Sequence, residues 1–275
     1  MPGAMSGRQA AAQTSSREFD ILSIMIASES VIRVVGDPPQ SGLENMARDE
    51  AILDAVGRCL SPPTLRMYQW DRPTISLGYF QKYADYAALP PPAGSLPVVR
   101  RPTGGGAILH DMELTYALTL PVDHRLLAEG PGRLYACMHD AIIMALDPMA
   151  VRSRRCGVTD DSTATRGPFF CFARRHCFDL TVGDAKLAGS AQRRTRTAVL
   201  QHGSIILGSR FDQQPTARLA LDPAAAIAGL RAALPHQFAN LTSESLVCGE
   251  WSPEELAAVP GLIEKHAAAA WLRRM

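Results

Sequence analysis

Three short runs rich in β-formers, LRMYQW, TISLGYF and LPVVRR, follow one another between residues 65 and 101 with Pro-containing turns between them. That punctuation belongs to a sheet, because proline lacks a backbone donor and interrupts a helix but is tolerated where a strand begins or ends. LTYALTLPV reads as a buried strand, HCFDLTVGDAKLAGSA as a hairpin turning at Gly183-Asp184, and VLQHGSIIL as a further strand. ILSIMIA, apolar and β-branched, predicts an earlier strand, ended by the turn chemistry of VGDPPQSG. Helices fall between these runs. Met46, Leu53, Val56 and Leu60 share one helical face within residues 43–60, and Leu134, Met138, Ile142 and Ala145 mark a second helix. Further on, DPAAAIAGLRAAL has high helix propensity, and SPEELAAV opens with a Ser cap followed by acids. Strands mixed irregularly with helices predict an α+β fold, a mixed β-sheet with flanking helices, rather than a strictly alternating parallel one.

A chain of 275 residues can bury one substantial core. We expect a flexible N-terminal tail at 1–18, a catalytic domain at 19–214, and a C-terminal helical segment at 215–275 packed on the same domain. The net charge of +1 supplies no global field for nucleic acid or an anionic membrane, so a charged partner must meet a local patch. No nucleic-acid or membrane partner is expected, and neither a signal peptide nor an apolar span approaching membrane length is read from the sequence. Cys59, Cys137, Cys156, Cys171, Cys177 and Cys248 are scattered, without zinc-site spacing, which fits reduced thiols in a cytoplasmic protein.

Two stretches carry chemistry. In Arg100-Arg101-Pro102-Thr103-Gly104-Gly105-Gly106, followed by Ala107-Ile108-Leu109-His110-Asp111, glycines let the backbone approach a ligand, and the arginines can pair an anion. No Gly-Lys-Ser/Thr follows, so it is not a P-loop, and a plain hairpin loop is the alternative. The second stretch, Lys186-Leu187-Ala188-Gly189-Ser190-Ala191-Gln192-Arg193-Arg194, precedes Gln201-His202-Gly203-Ser204 on a strand. Only three of the 28 basic residues are lysines, Lys82, Lys186 and Lys265. Arginine therefore serves wherever a surface charge suffices, and Lys186 is the candidate for a place needing a compact ammonium. A solvated lysine at a strand edge is the competing reading, and a structural histidine is the competing reading of His202.

Taken together, RRPTGGGAILHD, KLAGSAQRR and QHGSI resemble the signature of the biotin/lipoate protein ligase superfamily, in its lipoate-ligase and octanoyltransferase branch. LENMARDEAIL and LRMYQWDRPTISLGYFQ extend the resemblance across roughly residues 40–210. Phe170-Cys171-Phe172-Ala173, with Lys186 fifteen positions beyond Cys171, and HDMELTYALTLP look most like the octanoyl-carrier-protein:protein N-octanoyltransferases; ATP-using ligases typically carry Gly-Asn after His-Asp.

That resemblance implies a catalytic pair, Cys171 as thioester-forming nucleophile and Lys186 as its activator. It implies substrate-binding roles for Arg101, Thr103, Gly104, Gly105, Gly106, His110, Gly189, Ser190, Gln192, His202 and Gly203, and an apolar tunnel for the acyl tail. Octanoyl-acyl carrier protein would be the donor, and a lipoyl domain or the glycine cleavage H protein the acceptor, without a cofactor. The chemistry is sound, since a free thiol is mostly protonated near neutrality and a neighbouring ammonium favours the thiolate. Cys171 competes with the commoner fate of a cysteine, a buried structural thiol, and with Cys177 as nucleophile. The loop CFARRHCF is more basic than usual for the family, so Arg174, Arg175 and His176 are candidates to meet an acidic carrier protein. VRSRRCGVTDDSTATRGP before it reads as a long irregular stretch awaiting substrate. Two other functions remain open: an ATP- and magnesium-dependent lipoate-protein ligase acting through an acyl-adenylate, and a non-catalytic subunit that only holds a lipoyl domain.

Overall fold

The computed structural model describes residues 31–157 and 168–274. The expected tail at 1–18, the ILSIMIA strand and most of the irregular stretch before Cys171 lie outside the described residues.

Eight strands form the main sheet: β1 (Val31–Gly36), β2 (Thr64–Tyr68), β6 (Met112–Pro121), β7 (Arg154–Arg155), β8 (Leu180–Val182), β9 (Ala185–Arg194), β10 (Ala198–Gly208) and β11 (Ser245–Cys248). Their order is β11-β1-β2-β6-β10-β9-β8-β7. β1 is parallel to both β11 and β2, and the remaining pairs are antiparallel. A small second sheet, β4-β3-β5, is built from β3 (Thr74–Leu77), β4 (Val98–Arg100) and β5 (Ile108–His110). The glycine loop joins β4 to β5. The helices are α1 (Gly42–Gly57), α2 (Tyr83–Ala87), α3 (Pro131–Leu146), α4 (Pro223–Thr242), α5 (Pro253–Ala267) and α6 (Ala269–Leu272). The architecture is the α+β mixed sheet that the sequence predicts.

Alternation along the central strands assigns the two faces. Val199, Ile205 and Leu207 of β10, with Leu114, Leu118 and Leu120 of β6, pack with α3 and α4 through Leu134, Met138, Ile142, Leu230 and Phe238. Ala198 and Leu200 of β10 and Ala117 of β6 face α1 instead, against Met46, Leu53 and Val56. By the same parity His202 and Ser204 on β10, and Thr115 on β6, belong to the α1 side, which places three polar positions on one interior surface.

Several elements depart from expectation. The first described strand is β1, which takes in Val35 and Gly36 from the stretch read as turn. α1 is capped by the Ser41 side chain accepting from the Glu44 amide and ends at Gly57; Cys59 then turns the chain at φ 58°, and Leu60 lies 45% exposed rather than on the core face. β11 interrupts the C-terminal helices. Four residues of SLVC type give no clear local signal, and their position is set by non-local pairing with β1, Val31 opposite Ser245 through Val34 opposite Cys248.

Glu255 ties this C-terminal region to the sheet. Its fully buried carboxylate is paired with Arg33 of β1, accepts the Ser61 hydroxyl at 2.8 Å, and closes a reciprocal capping box with Ser252 at the start of α5. Glu255→Ala should lower unfolding free energy by about 3–5 kcal/mol, the cost of leaving a buried guanidinium without its partner. Urea denaturation followed by circular dichroism checks it; a loss below about 1 kcal/mol contradicts this role.

Candidate active site

The β8–β9 hairpin turns at Gly183, where φ is 57°, and sends Lys186 up from β9 toward a short 3-10 turn at Cys171–Ala173. Lys186 is 4% exposed. Its Nζ lies 3.6 Å from Cys171 Sγ, 3.5 Å from the Cys171 carbonyl oxygen and 2.6 Å from Asp179 Oδ2. It is no solvated strand-edge lysine. Burial alone would pull its pKa down, but the negative charges of Cys171 and Asp179 outweigh that effect and hold it above the ordinary lysine value. The glycine of the KLAGS run has a direct reason: a Cβ on Gly189 would stand 2.6 Å from Lys186 Cε and 2.8 Å from Nζ. The bare backbone at Gly189 is the space in which the ammonium lies.

The glycine loop holds the cysteine. Cys171 N–H donates to the Ala107 carbonyl at 2.7 Å, and Ala107 N–H donates to the Phe169 carbonyl at 2.9 Å, so the two loops pair like adjacent strands. A Cβ on Gly106 would meet Cys171 N at 2.9 Å and Cα at 3.0 Å. The two arginines before the loop do not wait for an anion. Arg101, buried, donates to the Ser76 hydroxyl and carbonyl, to the Thr103 hydroxyl, and to the carbonyls of Gly104 and Gly106 at 2.7 Å each. Burial brings its pKa down to about 10, so it stays charged at neutrality. Arg100 clamps the carbonyls of Gly78, Tyr79, Gln81 and Leu272. Both guanidinium groups organise backbone, where the sequence suggested an anion partner.

A pocket lies between the loops and the α1 face of the sheet. Of the residues expected at the site, Arg101, Gly105, His110, Cys171, Gly189, Ser190, His202 and Gly203 line it, with Met46, Trp70 and Ile108 among its apolar walls. Thr103 stands behind, 2.6 Å from His202 Nε2, while Gly104 and Gly106 form the loop itself. Gln192 is farther along β9, donating to Gln201 and to the Pro131 carbonyl, and does not line the cavity. Cys177 Sγ contacts His176 Nδ1 at 3.8 Å, while the lysine's contacts go to Cys171 and Asp179.

The polar residues under the cavity form chains that sequence reading did not assign. His202 Nδ1 meets Asp49 Oδ2 at 3.1 Å, and Asp49 also pairs with Arg66 at 2.6 Å; burial raises the pKa of Asp49, but these contacts outweigh it and leave it below the usual value. His110, stacked on Trp70, bonds Glu113 through Nδ1 at 2.9 Å and Ser76 through Nε2 at 2.8 Å. Ser190 is held by Tyr116 at 2.6 Å and by His139 Nε2 at 2.7 Å, and burial drives His139 down to about 4, so it is neutral at physiological pH. Asp179 lies in the CFDL run, eight positions past Cys171, and an acid two residues from the rival cysteine is the only signal the sequence offers for it. Asp49 falls within LENMARDEAIL and Glu113 within HDMELTYALTLP, but nothing local marks either as a partner of a site histidine, and His139 on α3 lies outside every motif. Among the described residues no cluster of three His, Cys, Asp or Glu side chains could hold a metal ion, and no helix is long and apolar enough to cross a membrane.

Gly189→Ala should displace the ammonium and slow alkylation of Cys171 by iodoacetamide at pH 7 at least tenfold, with the melting temperature changing by only a few degrees. Peptide mass spectrometry reads the alkylation, and an unchanged rate would mean that the close approach is unimportant.

The lipoyl protein ligase A/B catalytic domain family matches residues 41–244. The octanoyltransferase LipM of Moorella thermoacetica is 36% identical over 261 residues, covering 84% of this chain and 93% of that protein. That of Symbiobacterium thermophilum is 39% identical over 179 residues, 64% of this chain and 65% of its own. Among solved structures, a lipoate-protein ligase A bound with ATP superposes with TM-score 0.65 at 19% identity, covering 88% of this chain and 98% of the other. The bipartite lipoate protein ligase of Thermoplasma acidophilum, studied with its E2 lipoyl domain, gives 0.64 at 18% over 88% and 95%. The structural likenesses speak for the fold, and the sequence matches carry the family: this chain belongs to the lipoyl protein ligase A/B catalytic-domain family.

Proposed function

We propose that the protein is an octanoyltransferase of protein lipoylation that works through a thioester on Cys171. The observation that supports this reading most is the Lys186 ammonium 3.6 Å from the Cys171 sulfur at the edge of a partly apolar cavity. The 36% identity with an octanoyltransferase across 93% of that relative supports it independently.

In the first half-reaction the Cys171 thiolate attacks the carbonyl carbon of an octanoyl thioester on acyl carrier protein. A C–S bond forms to Cys171, the donor's C–S bond breaks, and the carrier leaves as a thiolate that takes up from solvent the proton Cys171 gave up on ionising. The thiolate is the reacting form, and a positive charge beside the sulfur favours it over the thiol. One thioester replaces another, so the step needs alignment and no nucleotide. In the second half-reaction the amine of a lysine on a lipoyl domain or the glycine cleavage H protein attacks the acyl-enzyme. An amide forms, the Cys171 thiol is restored, and the exchange of thioester for amide runs downhill. The cavity holds the acyl chain, with Gly105, Gly189 and Gly203 exposing backbone along its wall and Ser190, His110 and His202 fixed by hydrogen bonds beneath it. Both carriers and both half-reactions are cytoplasmic in this reading.

Incubation with octanoyl-acyl carrier protein and no ATP should add one octanoyl mass to Cys171, and a lipoyl domain should then remove it. Cys171→Ser should abolish adduct and transfer, and Lys186→Ala should lower the rate of adduct formation about 100-fold or more, the scale on which a positioned proton-handling group acts. Transfer that survives in Cys171→Ser, or that requires ATP, overturns the proposal in favour of ligase chemistry; tight lipoyl-domain binding without turnover from any donor would make the protein a binding subunit.

A further inference from the structure

Lys186 has two neighbours, and only the sulfur reacts. The other, Asp179, makes the shorter contact, 2.6 Å against 3.6 Å. The aspartate is itself fixed from several sides. Its Oδ2 accepts the His176 amide at 2.8 Å, its own amide donates to the His176 carbonyl at 2.8 Å, and its carbonyl accepts the Cys156 amide at 2.7 Å. A lysine side chain is a long flexible stem, and an ammonium removed from water favours losing its proton. A rigid carboxylate answers both problems.

We propose that Asp179 is the positioning residue of the site: its carboxylate keeps the buried Lys186 amine protonated and aimed at the Cys171 sulfur, and it takes no part in bond making. The proposal rests on the Cys171–Lys186 reading above and deepens it. The other titratable groups around the pair do not substitute for Asp179. Tyr135 and His139 approach from α3, and burial pushes the former up to about 12 and the latter down to about 4, so both are neutral near pH 7. Arg101 approaches from the glycine loop and is a cation, and His176 lies in the cysteine loop beside Tyr135. The carboxylate and the Cys171 sulfur lie 2.6 and 3.6 Å from the same ammonium, so the lysine is shared between them, and the Gly189 backbone leaves it room between both partners.

With three lysines in the chain, ¹³Cε-lysine labelling gives three resonances, assigned by Lys82→Arg and Lys265→Arg. In the full-length wild type, Lys186 should titrate above the ordinary lysine range. In Asp179→Asn its midpoint should fall by at least about one pH unit, a tenfold change in its acid dissociation constant. Iodoacetamide alkylation of Cys171 at pH 7 should slow at least tenfold, and kcat for octanoyl transfer should fall with KM for the donor unchanged. Asp179→Glu should restore part of each effect. A wild-type Lys186 that titrates at or below the ordinary value, or an Asp179→Asn protein with unchanged midpoint and alkylation rate, overturns the assignment. If Asp179→Asn does not fold, the wild-type titration alone decides. The titration uses no acyl substrate, so it separates from the parent reading: transfer surviving in Cys171→Ser with the lysine shift present sinks the octanoyltransferase mechanism only, whereas loss of transfer in Cys171→Ser with no shift sinks only the role of Asp179.

Discussion

A single ammonium, buried between a thiol and a carboxylate, sets the terms for the rest of this molecule. A charge that far from water is costly to keep unless a partner of opposite sign lies within hydrogen-bond reach, and Asp179 at 2.6 Å meets that need. The arrangement then dictates its surroundings. Lys186 must leave β9 beside a residue with no side chain, hence Gly189; Cys171 must be brought to it by a loop pinned elsewhere, hence the pairing of Cys171 with Ala107 and the close packing on Gly106. The two motifs that look separate in the chain are one mechanical unit, with the glycine loop as the mount for the sulfur and the hairpin as the mount for the amine.

The arginines teach a related lesson. Adjacent guanidinium groups ahead of a glycine run suggest an anion site, and a loop of exposed carbonyls is an equally good partner for a planar fork of donors. Arg101 draws the carbonyls of Gly104 and Gly106 inward, and Arg100 gathers Gly78, Tyr79, Gln81 and Leu272. The loop has few side chains to pack, so these charged hydrogen bonds hold it. Beneath the cavity, Asp49, Glu113 and Tyr116 play the same part for His202, His110 and Ser190, fixing polar atoms that would otherwise be free to rotate at the edge of an apolar space.

Much of the fold was legible in the chain because its long-range order rests on local patterns. The hairpin at Gly183, the helical faces of α1 and α3, and the long strands β6 and β10 each follow from periodicity and turn chemistry within a dozen residues. The strands β1, β5, β7 and β11, which local pattern does not reveal, are short or flanked by turn residues, and their pairing partners lie far away in sequence. Leu60 shows the same limit on a smaller scale: its spacing continues the helical face, but a left-handed residue at Cys59 ends the helix before it arrives.

By itself the sequence determined the α+β class, the two motifs and Lys186 as a place needing a compact ammonium, because residue identity and spacing carry that information directly; the pairing of Cys171 with Lys186 is what the family resemblance implies. Only the tertiary structure decided that sulfur and amine meet, that Asp179 stands on the amine's other side, and that Arg100 and Arg101 bind backbone. Those facts depend on distances between segments whose approach is governed by packing and burial, which no local pattern encodes.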